Sequence, residues 1–271
     1  MLGIIGYPIG HSLSPRMHNA AFAASDLDFV YVPLEVRPEH LPAAIEGAAA
    51  LGFRGLNVTM PHKESILPLL HEVEASARVA GAVNTVVMED GYLRGLNTDG
   101  SGFVEACRAS AVDLAGRRVL IVGAGGAAAA IACALVGEDA AEIKIINRTA
   151  ARAARLRDRL RPLGAGIHIS AGSLDGVAED VSKADIIVNA TYLGMKDEDE
   201  LPVPAGRLDG GKIVCDAVYR AGRETRLIQL AREAGALVIP GGRMLLYQGV
   251  QAQRLWTGRE PDVEAMNDAL A

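Results

Sequence analysis

At about 150 residues per domain, a chain of 271 residues holds two domains or one large barrel, which excludes peptides and disulfide-stapled miniature scaffolds. Half the residues are apolar but only 4% are aromatic, so the core must be assembled from Ala, Val, Leu and Ile. The net charge of −6 offers no basic stripe to neutralise phosphates and argues against a nucleic-acid binder. Cys107, Cys133 and Cys215 are an odd number at wide spacing, without a C-x-x-C pair; this fits small core residues in a reducing compartment. The start Met1-Leu-Gly-Ile-Ile-Gly-Tyr-Pro lacks a basic n-region and is broken by Gly6 and Pro8, so it does not read as a signal peptide, and a cytoplasmic location is expected.

The first hundred residues alternate short β-type runs, at 2–5, 29–33, 54–58 and 84–87, with helical stretches. Ser14-Pro15 supplies a helix N-cap followed by proline at the first helical position, and 39–50 has helical composition ending at Gly52. Residues 83–89 and 92–96 flank Asp90-Gly91, the pattern of a hairpin with a tight turn. A helix is expected over 98–109. From Arg117 a second alternation begins, with strands at 119–122, 142–146, 185–189, 213–216 and 237–239, and helical segments follow at 244–256 and 263–270. Strand and helix alternation implies an α/β class with parallel sheets covered on both faces. The expected architecture has two domains: an open α/β substrate-binding and catalytic domain (1–101) and a Rossmann-type doubly wound dinucleotide-binding domain (102–238). C-terminal helices (239–271) return to the first.

Residues 119–137 contain no polar side chain over 19 positions, long enough to suggest a membrane span. Gly123, Gly125 and Gly126 interrupt the run and much of the rest is alanine, so strand, turn and helix fit better, with no membrane partner. Gly123-Ala124-Gly125-Gly126-Ala127-Ala128 matches G-x-G-x-x-A directly after a strand. It reads as a dinucleotide loop, with the pyrophosphate on the following helix N-terminus, or as a glycine-rich packing turn. NAD sites carry Asp or Glu about 20 residues on. Here the second strand ends Ile146-Asn147-Arg148-Thr149. Arg148, with Arg152 a turn later, puts cationic donors where a 2′-phosphate would sit, which points to NADP. An ordinary solvated basic helix is the other reading, since Arg155, Arg157, Arg159 and Arg161 continue the run.

Three further segments place polar residues at strand ends or turns of the first domain: His11-Ser12-Leu13-Ser14-Pro15, Asn57-Val58-Thr59-Met60-Pro61-His62-Lys63, and Asn97-Thr98-Asp99-Gly100. Ser12 and Ser14 at a helix start would hold a carboxylate, or Ser14 would be a plain N-cap. Lys63 is one of 5 lysines against 22 arginines. A transferable proton calls for an amine, which Arg cannot replace, though a surface lysine is the alternative. Asp99 reads as a helix cap alone, and as half of an acid/base pair if it faces Lys63. The six histidines show no metal spacing and no G-x-S-x-G elbow appears, so neither a metal nor serine hydrolase chemistry is expected.

Taken in order, seven motifs resemble the shikimate dehydrogenase family over nearly the whole chain: 6–19 (Gly-Tyr-Pro-Ile-Gly-His-Ser-Leu-Ser-Pro-Arg-Met-His-Asn), 57–63, 81–85 (Gly-Ala-Val-Asn-Thr), 97–100, the glycine loop, 147–149, and 244–248 (Met-Leu-Leu-Tyr-Gln). The resemblance implies NADP-dependent interconversion of 3-dehydroshikimate and shikimate. It implies that Ser12 and Ser14 bind the substrate carboxylate, that Asn57, Thr59, Asn84, Tyr219 and Gln248 contact ring hydroxyls, and that Lys63 and Asp99 are the catalytic pair. It assigns Gly123, Ala124, Gly125, Gly126, Ala127, Asn147, Arg148, Thr149 and Arg152 to NADP, with Ala217 and Gly241 at the nicotinamide end. The segment 219–225 lacks a proline common in the family, and Arg243 stands where a small residue is usual. On this reading a hydride passes to a ring ketone and Lys63 is placed to supply the proton, with Asp99 either acting as the base itself or keeping Lys63 protonated and oriented. The rival readings are a quinate or dual quinate/shikimate dehydrogenase, a methylenetetrahydrofolate dehydrogenase type, and a non-catalytic NADP sensor. A monomer or homodimer is expected, with small molecules as partners.

Overall fold

The protein is described from a computed structural model over residues 1–164 and 166–271. It divides into two compact units, Met1–Gly102 with Leu246–Ala271, and Phe103–Leu245. The first 101 residues expected as one domain thus take back the chain from Leu246 onward, while 239–245, expected with the C-terminal helices, belong to the second unit.

The first unit runs β1 (Leu2–Gly6), α1 (Ser14–Ala24), β2 (Tyr31–Glu35), α2 (Leu41–Ala50), β3 (Gly55–Val58), α3 (His62–Ser65), β4 (Glu72–Val73), α4 (Ala75–Ala80), β5 (Thr85–Glu89), β6 (Tyr92–Leu96) and the start of α5 (Asp99–Arg108). Its six-stranded sheet has the order β2-β1-β3-β5-β6-β4. The β2-β1-β3 half is parallel and every residue of β1 and β3 is buried, as expected for strands covered on both faces. The other half is not parallel throughout: β5 pairs antiparallel with β3 and β6, and the β5–β6 pair is closed by Asp90 (φ 49) and Gly91 (φ 77), the two-residue turn whose positive φ values match strand twist. The start of β5 therefore lies beside the carboxyl ends of β3 and β6.

The second unit holds β7 (Arg118–Val122), α6 (Gly126–Gly137), β8 (Glu142–Ile146), α7 (Ala150–Leu160), β9 (His168–Gly172), α8 (Val177–Lys183), β10 (Ile186–Asn189), β11 (Ile213–Asp216), α9 (Arg226–Glu233), β12 (Leu237–Ile239) and the start of α10 (Gly241–Thr257). The order β12-β11-β10-β7-β8-β9, with all pairs parallel, is the doubly wound 3-2-1-4-5-6 arrangement. Its topological switch point falls between β7 and β10. The apolar stretch 119–137 is β7, its glycine loop and α6. Among the described residues no helix is long and apolar enough to cross a membrane.

The rest of α10, from Leu246, and α11 (Val263–Asp268) belong to the first unit. There Trp256, 1% exposed, donates from its indole Nε1 to the Val86 carbonyl at 2.9 Å. A Cβ at Gly55 would meet that indole at 2.1 Å, so Gly55 is the notch in β3 that admits it. Leu2, Ile4, Phe22, Tyr31 and Ala252 complete this apolar cluster.

Candidate active site

In the first unit the carboxyl ends of β1, β3 and β6 and the start of β5 carry the polar residues singled out above, a placement where open α/β sheets bind ligands. The segments after β1 and β3 lie together: Tyr7 N–H donates to the Met60 carbonyl at 2.9 Å, and a Cβ at Gly6 would stand 2.5 Å from Thr59 Cγ2. Thr59, half-buried, is tied to β1 through its N–H on the Ile5 carbonyl, 2.9 Å. His62 is buried and its Nε2 donates to the Val36 carbonyl at 2.7 Å, while the Lys63 carbonyl accepts from Val83 N–H at 2.8 Å. The first two residues of this short helix are thereby pinned, the second of them being Lys63.

Lys63 is not a surface lysine: its side chain is 21% exposed and its Nζ lies 2.5 Å from Asp99 Oδ2, whose side chain is 8% exposed. Nor is Asp99 a helix cap. Its Oδ1 accepts from Asn84 Nδ2 at 2.8 Å, while its own N–H donates to Asn97 Oδ1 at 3.0 Å. Both carboxylate oxygens thus face side chains that fix their direction. Asn84 also donates to Thr98 Oγ1 (3.0 Å) and, at 3.5 Å, towards Gln248 Oε1. Its own Oδ1 accepts from Thr98 N–H (2.8 Å) and Thr85 Oγ1 (2.8 Å). Asn57 donates to the Asn84 carbonyl (3.1 Å) and Thr85 Oγ1 (3.2 Å), and accepts from Tyr31 Oη (2.7 Å). With both N–H bonds committed, its remaining capacity is a lone pair on Oδ1. Gln248 is buried on α10, against the start of α5: a Cβ at Gly102 would meet its backbone nitrogen at 2.5 Å.

Ser14 is 2% exposed but it is not the N-cap of α1. That position is Leu13, with no side-chain cap bond, and Pro15 follows within the first two helical positions. Ser12 instead closes the approach, its Oγ accepting from Ser14 N–H at 3.3 Å, so the Ser14 hydroxyl is not spent on capping. Asn97, Thr98 and Thr85 stood in the sequence motifs without a role of their own, and Tyr31 was not singled out by sequence. The signal for Thr98 and Asn97 was their neighbour Asp99, and for Thr85 its place next to Asn84; nothing local marked Tyr31.

In the second unit Gly123, with φ 120, leaves β7 at the switch point. A Cβ there would stand 2.6 Å from the Ala190 carbonyl oxygen beyond β10, so no other residue fits. Gly125 precedes α6, and a Cβ on it would meet nothing within 4 Å; Ala124, Gly126 and Ala127 are half-buried beside it. The open space beyond Gly125 adjoins the unsatisfied N–H groups of the α6 first turn, a fit for pyrophosphate. Past the end of β8, Asn147 N–H donates to the Gly172 carbonyl (3.2 Å) and its Nδ2 to the Thr149 carbonyl (3.0 Å). Arg148, Thr149 and Arg152 are exposed there, which suits contact with a phosphate. Ala217 follows β11, its N–H on the Asn189 carbonyl (2.8 Å). Gly241 opens α10 with a would-be Cβ 2.2 Å from the Val218 carbonyl oxygen. Tyr219 also belongs to this unit, whereas the other residues assigned to substrate belong to the first. Where the family proline is missing, Arg220 and Arg223 form an isolated antiparallel bridge and both pair with Asp197, at 2.6 and 3.0 Å.

Sequence reasoning also missed a buried polar group at the ends of β10 and β11. Asp216 Oδ1 accepts from Asn189 Nδ2 (2.9 Å) and Val218 N–H (2.9 Å), and its Oδ2 from Thr225 Oγ1 (2.6 Å). Burial raises its pKa from 3.8 to about 6, against the lowering by these donors. The available signal was a polar residue closing each apolar run. Among the described residues no group of three or more His, Cys, Asp or Glu could hold a metal ion.

Comparison with known proteins accords with this geometry. Residues 4–86 match the shikimate dehydrogenase substrate binding domain, 105–194 the shikimate/quinate 5-dehydrogenase domain, and 241–271 the shikimate 5′-dehydrogenase C-terminal domain. Shikimate dehydrogenase (NADP(+)) of Rubrobacter xylanophilus is 56% identical, over 100% of this chain and 95% of its own length. The crystal structure of the Thermus thermophilus shikimate 5-dehydrogenase in complex with NADP(H) and shikimate is 36% identical, with TM-score 0.88, over 99% of this chain and 97% of that one. The quinate dehydrogenase of Corynebacterium glutamicum in complex with NAD is 35% identical, with TM-score 0.90, over the same shares. The chain belongs to the shikimate dehydrogenase family.

Proposed function

We propose that the chain catalyses the reversible NADPH-dependent reduction of 3-dehydroshikimate to shikimate, on the route to chorismate and the aromatic amino acids. The observation that carries this reading is the Lys63–Asp99 pair, 2.5 Å apart and largely buried, in a chain of this family. When bound, the cofactor supplies the hydride that reduces the ring ketone. Lys63 then gives a proton from Nζ to the developing alkoxide, and in the reverse direction takes the hydroxyl proton back. Asp99, held on one oxygen by Lys63 and on the other by Asn84, aims the Lys63 Nζ.

Ser12 and Ser14 take the substrate carboxylate, a role supported by a Ser14 hydroxyl not used as a cap. Asn57, Thr59, Asn84, Tyr219 and Gln248 take the ring hydroxyls. Asn57 acts there as an acceptor, and Asn84 does so by giving up one of its three acceptors, of which Gln248 at 3.5 Å is the most distant. Gly123, Ala124, Gly125, Gly126 and Ala127 cradle the pyrophosphate, Asn147, Arg148, Thr149 and Arg152 the adenosine 2′-phosphate, and Ala217 and Gly241 the nicotinamide. A cytoplasmic monomer or homodimer completes the reading, with division into a catalytic first unit and a cofactor-binding second one.

The test is turnover of shikimate with NADP⁺, followed by NADPH absorbance, with quinate and NAD⁺ as parallel arms. Shikimate with NADP⁺ is the expected pair. The likeness to a quinate dehydrogenase makes quinate the second reading, and kcat/KM higher for quinate than for shikimate would replace the first.

A further inference from the structure

The buried carboxylate of Asp216 lies outside both sets of residues assigned above. It is 3% exposed, and its partners Asn189 and Thr225 are 0% and 3% exposed, so none of the three faces solvent. Replacing a buried polar cluster by apolar side chains is often neutral or stabilising, so stability alone does not account for a carboxylate here. What the three donors have in common is their position in the backbone.

Asn189 and Asp216 are the last residues of β10 and β11 and pair across the ladder. From that point Asn189 organises the segment after β10: its Oδ1 accepts from Thr191 N–H (3.1 Å) and Thr191 Oγ1 (2.7 Å), and its Nδ2 donates to the Leu193 carbonyl (3.0 Å). Ala190, between them, supplies the carbonyl that leaves Gly123 no room for a side chain. On the other side Asp216 holds Val218 N–H, and the Val218 carbonyl presses on Gly241. Thr225 is the N-cap of α9, its side chain accepting from Ile228 N–H. One carboxylate therefore joins the exits of β10 and β11 and the start of α9, with the glycine loop and the start of α10 in backbone contact on either side. In a doubly wound sheet the dinucleotide spans the switch point, and its second nucleotide lies beyond the carboxyl ends of the second set of strands, here β10, β11 and β12.

We infer that Asp216 is a positioning residue for the nicotinamide half of the cofactor: it touches no ligand, and sets the backbone of the β10 and β11 exits and of the glycine at the head of α10 on which that half is seated. The adenosine half, at the β8 end, is held independently of it. This inference rests on the dinucleotide reading of the second unit.

The experiment compares dissociation constants for NADPH and for adenosine 2′,5′-bisphosphate, which carries only the adenosine half, by calorimetry on the full chain and its variants. Asp216→Ala leaves three donors unanswered and is expected to weaken NADPH by about tenfold or more, with the bisphosphate changed less than about twofold. Asp216→Asn keeps an acceptor for Asn189 and Val218 and can donate to Thr225 Oγ1, so NADPH affinity should stay within about threefold. Equal weakening of both ligands would mean general loosening of the unit and overturn the inference, as would unchanged NADPH affinity in folded Asp216→Ala. Should that variant fail to fold, Thr225→Val removes the bond to Asp216 Oδ2 together with the α9 cap bond from Ile228 N–H, and leaves Asn189 and Val218 on the carboxylate. It must then show the same selective loss to a smaller degree, and its absence refutes the assignment. If the unmodified chain binds neither ligand, the dinucleotide reading itself falls. Binding of both by the unmodified chain without selectivity in the variants overturns Asp216 alone.

Discussion

Acid should weaken the first unit through one buried imidazole, by an amount that follows from its surroundings. His18 is fully buried, with its ring stacked on Tyr31 at 4.4 Å between centroids and 5.6 Å from that of Trp256. Nδ1 lies 3.1 Å from Gln253 Oε1, which can only accept, so the neutral ring carries its proton there. A second proton would enter at Nε2, which has no hydrogen-bond partner, in a site stripped of water. Burial accordingly pushes the pKa down from 6.5 to about 4, against a smaller upward pull from Gln253.

The native state thus refuses a proton that the unfolded chain accepts. The stability at stake is complete above pH 6.5, falls as the pH drops towards 4, and has gone below it; at 1.36 kcal/mol per unit the loss is about 3 kcal/mol. The perturbation is His18→Phe with Gln253→Leu, which keeps a ring on Tyr31 and removes both unpartnered nitrogens, His18 Nε2 and Gln253 Nε2. Trp256 is the chain's single tryptophan and belongs to this unit, so urea unfolding followed by its fluorescence reads the right transition. Between about pH 7 and pH 4 the unmodified protein should lose about 3 kcal/mol more than the double variant. Identical losses would refute the neutral, buried imidazole.

Four further outcomes follow from the sites. Lys63→Ala should lower kcat about a hundredfold or more while KM stays within a few-fold, as for lost proton transfer; near-full kcat with a raised KM would make it a binding contact. Ser14→Ala and Ser12→Ala should each mainly raise KM for shikimate, by about 1–2 kcal/mol, and an analogue without the carboxylate should not distinguish them from the parent. Arg148→Ala should remove most of an about ten- to hundredfold preference for NADP over NAD, and Arg148→Asp should reverse it. Raised salt should erode the preference in the parent, whereas equal affinities at low salt would contradict the strand-end reading. Asp216 carries the opposite pH sign to His18. With a folded pKa raised from 3.8 to about 6, its contribution is present below 3.8 and lost as pH rises through 6, so Asp216→Asn should gain stability relative to the parent above pH 6 in denaturant titrations of the second unit.

Legibility from sequence followed the range of the interaction involved. The strands β8, β11 and β12 were read to the residue and the Asp90-Gly91 turn by its chemistry, because apolar runs and turn residues act locally. β9 and β4 escaped: His168-Ile-Ser-Ala-Gly172 ends in weak strand formers at a sheet edge and is never fully buried, and β4 has two residues. In both, pairing with neighbours decides the conformation. The places of the glycine loop between β7 and α6 and of Arg148 past the end of β8 were legible because glycines and apolar runs mark such turns locally. Lys63 and Asp99 could be nominated by type and scarcity, but 36 residues separate them and only the hairpin, by laying β6 beside β5, brings them together. The Ser14 cap failed as a reading because Ser12, two residues earlier, had already closed the turn. Tyr31, which aims Asn57, sits in an unremarkable strand, and the Asn189–Asp216–Thr225 group joins three segments that no local pattern links.

The return of the chain at Leu246 has a consequence for biosynthesis. The first unit is interrupted by the 143 residues of Phe103–Leu245, so its sheet emerges from the ribosome long before the helix that supplies Trp256 to the Gly55 notch and the Val86 carbonyl. At 5–20 residues per second the delay is roughly 10–30 s. During that interval Leu2, Ile4 and Tyr31 have no Ala252 or Trp256 to cover them, while the second unit, contiguous in sequence, can complete its own sheet. The nascent chain is thus a finished cofactor-binding unit tethered to an open apolar face. Stop codons between 246 and 256 should therefore send the protein to chaperones and aggregation through its N-terminal third, the part farthest in sequence from the lesion.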